Sequence, residues 1–414
     1  MSRALAVFVD VEGTPVPVGR LWTRATPRLG ASFEYDTGWL SRRGAFALDP
    51  ELPLGPGPFH TARPLFRAFE DPAPDRWGQN LMRRAERARA RREGRAPRTL
   101  GAVDFLVGVD DETRLGALRF RDAAAAPGAP FLTSSGRRIP PLVELPRLLA
   151  ATDRLVSEDE TEDDLALLLA PGTSLGGARP KASVRATDGR LLVAKFPRKD
   201  DDWPVTRWEA TALELARAAR IRVPEVRLAM VARRPVLVLA RFDRRAGQRA
   251  PVLSGMAALS ANDGEQRSYL DLVDALRRDG SEPAADLHEL WRRLVFNVLV
   301  SNTDDHLRNH AFLHDGVGWR LSPAYDLNPV PTDVRPRVHA LTLDERDATA
   351  SMELALALAP RFGLETRTAR RTAREVGAAV RTWRAVSARQ GLKKRELDRM
   401  ESAFEHADLA LATR

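Results

Sequence analysis

Two acids and an amide in the C-terminal half of the chain could together move a proton and hold a metal ion. Asp304 and Asn309 lie in the polar segment from Ser301 to Asn309, and Asp326 follows soon after. A carboxylate can orient a hydroxyl group and accept its proton. An amide oxygen and a second carboxylate are hard ligands of the kind that Mg²⁺ prefers, with waters and phosphate oxygens completing its shell. These residues are therefore typical of metal-assisted phosphoryl transfer.

The spacing of the polar residues favours Asp304 over its neighbour Asp305 as the base. Asn309 follows Asp304 by five residues, the spacing between the proton-accepting Asp and the Mg²⁺-binding Asn of the protein-kinase catalytic loop. We expect Asp305 to point away from the site or to cap a turn. The simpler alternative for the pair is a cap on the apolar helix that precedes it.

A glycine-rich segment upstream could hold phosphate groups. Gly176, Gly177 and Lys181 lie in the stretch from Pro171 to Lys181, where small residues would let backbone N–H groups approach phosphate oxygens closely. The segment is neither a Walker A loop nor a dinucleotide fingerprint. Alone, it could be an ordinary turn.

A lysine and a glutamate after this segment strengthen the phosphate-binding interpretation. Lys195 closes an apolar strand, as the phosphate-binding lysine of protein kinases does. Glu209 lies on the next predicted helix, where the ion-pair partner of that lysine would be expected. In isolation, each residue could equally be an ordinary strand-end lysine or a surface acid.

The predicted elements follow the order of a two-lobed kinase. Residues 1 to about 70 have the alternation and turn signals of β structure, and a helix is predicted from Asp75 to Glu93. A hairpin is predicted around Asp188 and Gly189, followed by a helix and two more strands. The remainder is predicted to be helical, with one β-hairpin between Asn309 and Asp326. The predicted helices there are Tyr269–Arg278, Ala284–Val300, Met352–Ala359, Thr366–Thr382 and Lys394–Ala412.

Composition narrows the class of protein. The 414 residues are 43% hydrophobic and 29% charged, as expected of a globular domain structure, and the absence of cysteine excludes disulfides, a thiolate zinc site and a cysteine nucleophile. No apolar run is long enough to span a bilayer, so we expect a cytoplasmic protein with no membrane partner.

Charge is unevenly distributed along the chain. The net charge is +9, and the stretch from Arg83 to Arg92 is densely basic. That stretch is either a solvated helical face or a contact surface for phosphates or an acidic partner. No aromatic residue is interleaved with its arginines, which disfavours stacking on single strands. The acidic run from Glu158 to Asp164 is expected to cap the helix that follows it.

Five blocks in this order resemble the HipA family of serine/threonine-protein kinase toxins from bacterial type II toxin–antitoxin systems. The blocks are Ser174–Lys181, Lys195, Arg241–Arg245, Asn302–Asn309 and Tyr325–Asp326. The resemblance implies an α+β, two-lobed protein-kinase-like fold with an all-α C-terminal lobe. It divides the chain into a β-rich N-terminal subdomain (1–125), a kinase N-lobe (126–243) and a helical C-lobe (244–414).

The resemblance also implies roles for matching residues. Asp304 would be the catalytic base, and Asn309 with Asp326 would hold Mg²⁺. The residues implied to bind ATP are Gly176, Gly177, Lys181, Lys195, Phe242, Asp243 and His306, with Glu209 pairing Lys195. Ser174 matches the autophosphorylated serine that silences the kinase, and Thr173 beside it is a second possible acceptor. Ala240 stands where some members carry an acid, which would leave backbone contacts alone for adenine.

Partners follow from the resemblance as well. It implies a small helix-turn-helix antitoxin like HipB, contact with DNA through that antitoxin, and a protein substrate such as an aminoacyl-tRNA synthetase whose phosphorylation arrests growth. Two alternatives stay open. The chain could be a weak or inactive partner that serves transcriptional autoregulation, or a small-molecule phosphotransferase of kinase fold.

Overall fold

The computed structural model describes residues 3–23, 30–133, 139–172 and 177–414. The chain forms two compact units, one of residues 1–199 and 230–253 and the other of residues 200–229 and 254–414. Thr173, Ser174 and Gly176 lie outside the described residues. The three-part division expected from the sequence stays a prediction.

An antiparallel sheet begins the first unit. Its strand order is β4-β3-β2-β1-β5, with β1 Arg3–Val11, β2 Thr14–Thr23, β3 Ala31–Tyr35, β4 Pro58–Thr61 and β5 Leu118–Asp122. Leu5, Val7 and Val9 alternate along β1 and are almost fully buried, which is the period of a strand with one face on a core. A hairpin joins β1 and β2, and its turn at Glu12 and Gly13 has positive φ angles of 51° and 83°.

Helices also lie between β3 and β5 along the chain. They are α1 Thr37–Leu40, α2 Arg67–Glu70, α3 Arg76–Arg92 and α4 Ala102–Gly108. The predicted helix from Asp75 to Glu93 is confirmed as α3, because the Asp75 carboxylate accepts the backbone N–H groups of Trp77 and Gly78 and so caps its first turn. The sequence patterns did not predict α4.

A second antiparallel sheet in the first unit joins β6 Lys181–Arg185, β7 Leu191–Lys195 and β9 Arg234–Ala240. The predicted Asp188-Gly189 hairpin is confirmed between β6 and β7. The remaining elements between residues 142 and 254 are α5 Leu145–Val156, α6 Glu162–Gly172, α7 Val205–Ala218, β8 Val226–Val231, β10 Arg244–Arg245, β11 Gln248–Arg249 and β12 Val252–Ser254.

The acidic run serves two helices of the first unit. Asp164 accepts hydrogen bonds from Arg154 at 2.7 and 2.5 Å and from the Thr161 backbone, within the first turn of α6. The predicted cap is therefore confirmed. In addition, Arg84 of α3 donates to both carboxylate oxygens of Glu160 at 2.7 Å, so part of the basic stretch is neutralised inside the unit.

A buried ion pair closes the first unit near the end of β9. Asp243 is 1% exposed and accepts hydrogen bonds from Gly116 N at 2.8 Å, Arg241 Nε at 2.9 Å and Arg244 Nη1 at 2.6 Å. Burial raises the pKa of this carboxyl, but the charges of Arg241 and Arg244 outweigh burial and hold the pKa below its usual range. Both oxygens of Asp243 are thus bound within the protein.

The second unit is built around α10, Pro283–Leu299. Its apolar residues Leu294, Val295, Phe296, Val298 and Leu299 are fully buried, because a helix that is apolar on every side must be covered on every side. The other elements that follow β12 are α8 Gly255–Ala258, α9 Tyr269–Asp279, β13 Ala311–His314, β14 Trp319–Leu321, α11 Met352–Leu358, α12 Thr366–Val380, α13 Trp383–Arg389, α14 Lys394–Phe404 and α15 Ala407–Ala412.

The prediction of a continuous helix from Lys394 to Ala412 is wrong. Glu405 and His406 leave helical geometry, with His406 at φ −145° and ψ 171°. Phe404 at the end of α14 stacks on Trp383 with 4.6 Å between ring centroids, and the bend lets Leu409 of α15 be buried as well. The predicted helix Thr366–Thr382 ends at Val380. No helix among the described residues is both long and apolar enough to cross a bilayer.

Replacing Asp243 should test the buried ion pair. Asp243→Asn keeps the shape but leaves two buried guanidinium groups without a counter-charge, and removing one partner of such a cluster typically costs about 3–5 kcal/mol. Urea unfolding should show that loss of unfolding free energy. The matched control is Asp188→Asn, which breaks an exposed pair with Arg190 at 2.7 Å and should unfold like the parent protein. Equal midpoints for the two variants would contradict a structural role for Asp243.

Candidate active site

The polar segment begins where α10 is terminated by its own backbone. Ser301 adopts a left-handed conformation with φ 50°, and the Asn302 N–H donates to the Asn297 carbonyl at 3.0 Å. This 6→1 bond is the signature of a Schellman-type helix end, in which glycine is the usual residue at the left-handed position. The turn redirects the chain so that residues 302–309 run away from the helix.

The residues of this loop alternate between buried and exposed positions. Asp304, His306 and Arg308 are exposed, whereas Thr303, Asp305 and Leu307 are buried. An extended chain places successive side chains on opposite sides. The two adjacent acids therefore face opposite environments, with Asp304 in solvent and Asp305 in the interior.

Asp305 is the centre of a buried polar cluster. Its Oδ2 accepts a hydrogen bond from the Tyr269 hydroxyl at 2.5 Å, and its Oδ1 accepts the Ala340 N–H at 3.2 Å and lies 3.1 Å from His339 Nδ1. Burial alone would raise the pKa of Asp305. The nearby His339 and the hydrogen bonds outweigh burial, so that the pKa of Asp305 lies below its ordinary value. Asp305 is thus an anchor for the loop.

Two amide side chains extend this cluster to the following segment. Asn297 Nδ2 donates to the Tyr269 hydroxyl at 2.9 Å, and Asn302 Nδ2 donates to Asn297 Oδ1 at 3.0 Å. Asn302 Oδ1 in turn accepts the Asn328 N–H at 3.0 Å. One continuous chain of hydrogen bonds thus links α9, α10, the loop and the residues just after Asp326.

Asn309 and Asp304 are held together at the exposed side of the loop. Asn309 Nδ2 donates to the Asp304 carbonyl at 2.7 Å, which engages the amide nitrogen and leaves Asn309 Oδ1 as the atom suited to a cation. The Asp304 carboxylate lies 3.2 Å from Arg335 Nη1, and both side chains are about half exposed (56% and 48%). Such a pair contributes little stability and exchanges readily.

Asp326 is fixed beside the loop in a strained backbone conformation. Its φ of 55° is left-handed and unusual for a residue other than glycine. The preceding residue, Tyr325, donates its hydroxyl to the Arg308 carbonyl at 2.7 Å. Strain of this kind persists only where the surroundings hold it in place, and it concentrates at functional sites.

A small cavity lies inside the second unit beneath the loop. Its volume is about 20 Å³, and Asp305, Asn309, His310 and Tyr325 are among its lining residues. His310 is 4% exposed, and neither ring nitrogen has a hydrogen-bond partner among the described residues. The volume suits one water molecule, which such a polar residue could bind.

The segment after Asp326 is tied back to the loop. Val330 N donates to the Ser301 carbonyl at 3.3 Å and Ala340 N donates to the Thr303 carbonyl at 2.9 Å. Between them, Arg337 donates to the Val298 carbonyl at 2.9 Å and pairs with Asp408 at 2.6 Å. The C-terminal helices therefore support the loop from below.

The predicted nucleotide-binding residues of the first unit occupy varied surroundings. Lys181 is 4% exposed, with its Nζ 3.9 Å from the Asp75 carboxylate at the start of α3. Gly177 has φ 95°, a conformation that residues with a side chain rarely adopt, and a Cβ there would lie 2.5 Å from Lys181 Nζ. Lys195 ends β7 opposite Lys181, and Phe242 is half-buried beside Asp243.

The remaining predicted residues differ in exposure. Glu209 is buried in α7 of the second unit, and His306 is exposed at the start of the short 3₁₀ turn Leu307–Asn309. The roles assigned to all these residues stay predictions. Ser174 and Gly176 cannot be located, since they lie outside the described residues.

The donor set fits Mg²⁺. No cluster of three or more His, Asp or Glu side chains suited to a metal occurs in the described part of the chain. One amide oxygen at Asn309 and one carboxylate at Asp326 are the few protein ligands expected when phosphate oxygens and waters supply the rest. Those two residues would hold the ion.

Sequence reasoning missed the residues that position the loop. Tyr269, His339 and Arg335 lie about thirty residues or more from Asp304, and no local pattern connects them. Asn297 did carry a signal, because it is a polar residue inside the apolar run of α10. A buried amide in such a run must find hydrogen-bond partners.

Two family models match separate parts of the chain. The HipA-like C-terminal domain matches residues 173–383, and the HipA N-terminal domain matches residues 9–103. "Putative kinase Y4mE" of Sinorhizobium fredii is 28% identical over 209 residues, which are 44% of this chain and 48% of that protein. The chain therefore spans about half the length of that curated relative.

Solved structures give the fold. HipA of Shewanella oneidensis MR-1, solved in a complex with HipB and its operator DNA, superposes with a TM-score of 0.63 at 17% identity, covering 99% of this chain and 96% of that one. The kinase CtkA of Helicobacter pylori gives a TM-score of 0.40 at 14% identity, covering 59% of this chain and 93% of that one. The predicted α+β fold is confirmed by the first of these.

Removing one hydroxyl should test the Asp305 anchor. Tyr269→Phe takes a donor from a buried carboxylate and should lower the free energy of unfolding by about 1–3 kcal/mol. Tyr325→Phe is the matched control, because its hydroxyl bonds to a carbonyl near the surface, and it should cost less. Urea unfolding of both variants measures the difference, and equal losses would contradict the anchoring role of Asp305.

Low pH should destabilise the C-terminal helices that support the loop, through protonation of His406. Burial, helped by the charge of Arg337, lowers the pKa of His406 to about 4. The unfolded chain then binds a proton more readily than the folded one, so stability is lost as pH falls from about 6.5 towards 4. Between pH 7 and pH 5 this residue should account for about 2 kcal/mol.

Urea unfolding at both pH values measures this contribution. His406→Gln should lose that much less stability on acidification than the parent protein. His60→Gln, at an exposed position of β4, should behave as the parent does. A parental pH dependence in His406→Gln would rule out the neutral buried imidazole.

Proposed function

Because this chain belongs to the HipA family, we propose that it is a Mg²⁺- and ATP-dependent serine/threonine protein kinase that acts as the toxin of a toxin–antitoxin pair. The observation that carries the proposal is the alternation along residues 303–308, which exposes Asp304 and buries Asp305. A catalytic base must be accessible to a substrate from solvent, whereas a residue that anchors the loop must be buried.

The residues of the candidate site then have separate tasks. Asp304 orients the acceptor hydroxyl and takes its proton. Asn309 and Asp326 hold Mg²⁺, which neutralises phosphate charge when bound. Arg335 neutralises the Asp304 carboxylate at rest and exchanges for the incoming hydroxyl, as an exposed ion pair allows.

The rigidity of the loop supports this assignment. Phosphoryl transfer has a loose transition state, so that positioning and charge neutralisation supply most of the catalysis. The Asp305 cluster and the amide chain fix the loop from the interior, and Asn309 fixes its exposed side. Lys195, Lys181 and the glycines near residue 177 would hold the triphosphate, with Glu209 pairing Lys195.

Regulation and partners belong to the same proposal. Phosphorylation of Ser174 in the glycine-rich segment would silence the kinase. A small helix-turn-helix antitoxin would bind the chain, by analogy with the HipB present in the Shewanella complex. The cellular substrate would be a protein such as an aminoacyl-tRNA synthetase.

Replacing the base tests the activity. With Mg-ATP labelled at the γ-phosphate, Asp304→Asn should lower the rate of self-phosphorylation by about 10²–10⁴, the usual contribution of a positioned base. The matched control is Asp263→Asn, a 73% exposed acid paired with Arg308, which should keep the parental rate. A parental rate in Asp304→Asn would refute the assignment.

Mass spectrometry of the same reactions separates the alternatives. Phosphate on Ser174 supports the regulated kinase. ATP binding by calorimetry without any phosphorylated protein would indicate an inactive partner, and transfer to small alcohols alone would indicate a small-molecule phosphotransferase.

A further inference from the structure

The arginines of α3 fall into two groups by their partners. Arg84 is bound to Glu158 and Glu160, and Arg92 lies 3.4 Å from Glu162. Just beyond the helix, Arg95 and Arg98 share the buried Glu86. These cations are neutralised within the first unit and are part of its framework.

The second group has no carboxylate partner among the described residues. It consists of Arg76, Arg83, Arg87, Arg89 and Arg91, all of them exposed. Arg89 lies on another side of the helix from the other four. Arg83 is held in place by Gln79 at 3.0 Å and by the Phe105 ring, 4.9 Å from its guanidinium. Both partners are uncharged, so they order the side chain without cancelling its charge.

Helix geometry aligns the four residues other than Arg89 in one row. Their spacings of seven, four and four residues keep them within an arc of about 80°, at about 100° per residue. The row is about 23 Å long at 1.5 Å per residue. The carboxylates of the acidic run reach Arg84 and Arg92, which lie to one side of the row. The charge of these four residues therefore forms a line along one face of the helix, in which Arg83 is held by Gln79 and Phe105.

We propose that this row, hereafter the arginine row, binds the phosphate backbone of duplex DNA directly and without regard to sequence. Phosphates along one strand recur every 3.4 Å of the axis, so four arginines spread over about 23 Å can each reach a separate phosphate. The contact is distinct from phosphoryl transfer and would be made by this chain itself, in addition to any DNA contact of an antitoxin.

The surroundings of the arginine row favour this occupant over others. Trp77, Leu81 and Met82 of α3 are buried, so the exposed face lacks the apolar centre that specific protein interfaces have. No aromatic side chain is exposed along α3 on which single-stranded bases could stack. A purely cationic surface matches a partner recognised by charge alone.

Fluorescence anisotropy with a labelled 30-base-pair duplex of arbitrary sequence tests the proposal. The full chain is titrated between 50 and 200 mM NaCl, and the parent should show a logarithmic salt slope of about −3 to −4, set by about four phosphate contacts. Arg87→Gln combined with Arg91→Gln should weaken binding about tenfold at 50 mM NaCl and reduce the slope by about 2.

The matched control removes the same charge elsewhere. Arg185→Gln combined with Arg190→Gln breaks exposed pairs with Glu112 and Asp188 and should leave the slope unchanged. An equal loss in the control pair would overturn the proposal, since net charge alone would then explain binding. Tighter binding of poly-glutamate or of single-stranded DNA than of the duplex would overturn it too. Unchanged thermal unfolding of both double variants ensures that lost binding reflects lost contacts.

Discussion

The buried carboxylate of Asp305 is the constraint on which the candidate site depends. A charge in the interior must be hydrogen-bonded or paired, or its desolvation would not be tolerated. Asp305 meets this requirement with Tyr269 from α9 and with His339 and Ala340 from the segment that follows the site. Once Asp305 points inward, an extended chain must send Asp304 outward. The exposed carboxylate that we assign as base is thus positioned by the acid that does not react.

Most elements could be predicted from the sequence because their signals are local. The turn at Asp188-Gly189, the helix that starts at Asp75 and the apolar run of α10 each depend on a few adjacent residues, and each is found where it was predicted. The break between α14 and α15 could not be predicted in this way, since it follows the contact of Phe404, at the end of α14, with the distant Trp383. The choice of Asp304 followed from a five-residue spacing, whereas its supporting residues are distant in sequence and invisible to spacing.

Asp243 shows what the sequence pattern leaves out. Its place in the Arg241–Arg245 block implies a contact with nucleotide, which stays a prediction, and the structure adds that its carboxylate is bound by Arg241, Arg244 and the backbone of Gly116. Gly116 lies far away in the sequence, so this burial could not be foreseen. The arginines of α3 illustrate the same point, because their sequence pattern does not show which of them pair with the acidic run. Only the structure separates the arginines that are paired, such as Arg84, from those that face solvent alone.

The chain of hydrogen bonds also holds strained backbone in place at both ends of the site. Ser301 and Asp326 both adopt left-handed conformations that cost non-glycine residues of order 1 kcal/mol or more. Asn302, the residue after Ser301, is bonded to Asn297 on one side and on the other to Asn328, two residues after Asp326. Neither conformation would persist in a loop that could relax. The buried amides therefore hold the two ends of the site in a fixed relation, at some cost in stability. Phosphoryl transfer depends on positioning more than on any reactive side chain, so a protein with this activity would retain that cost.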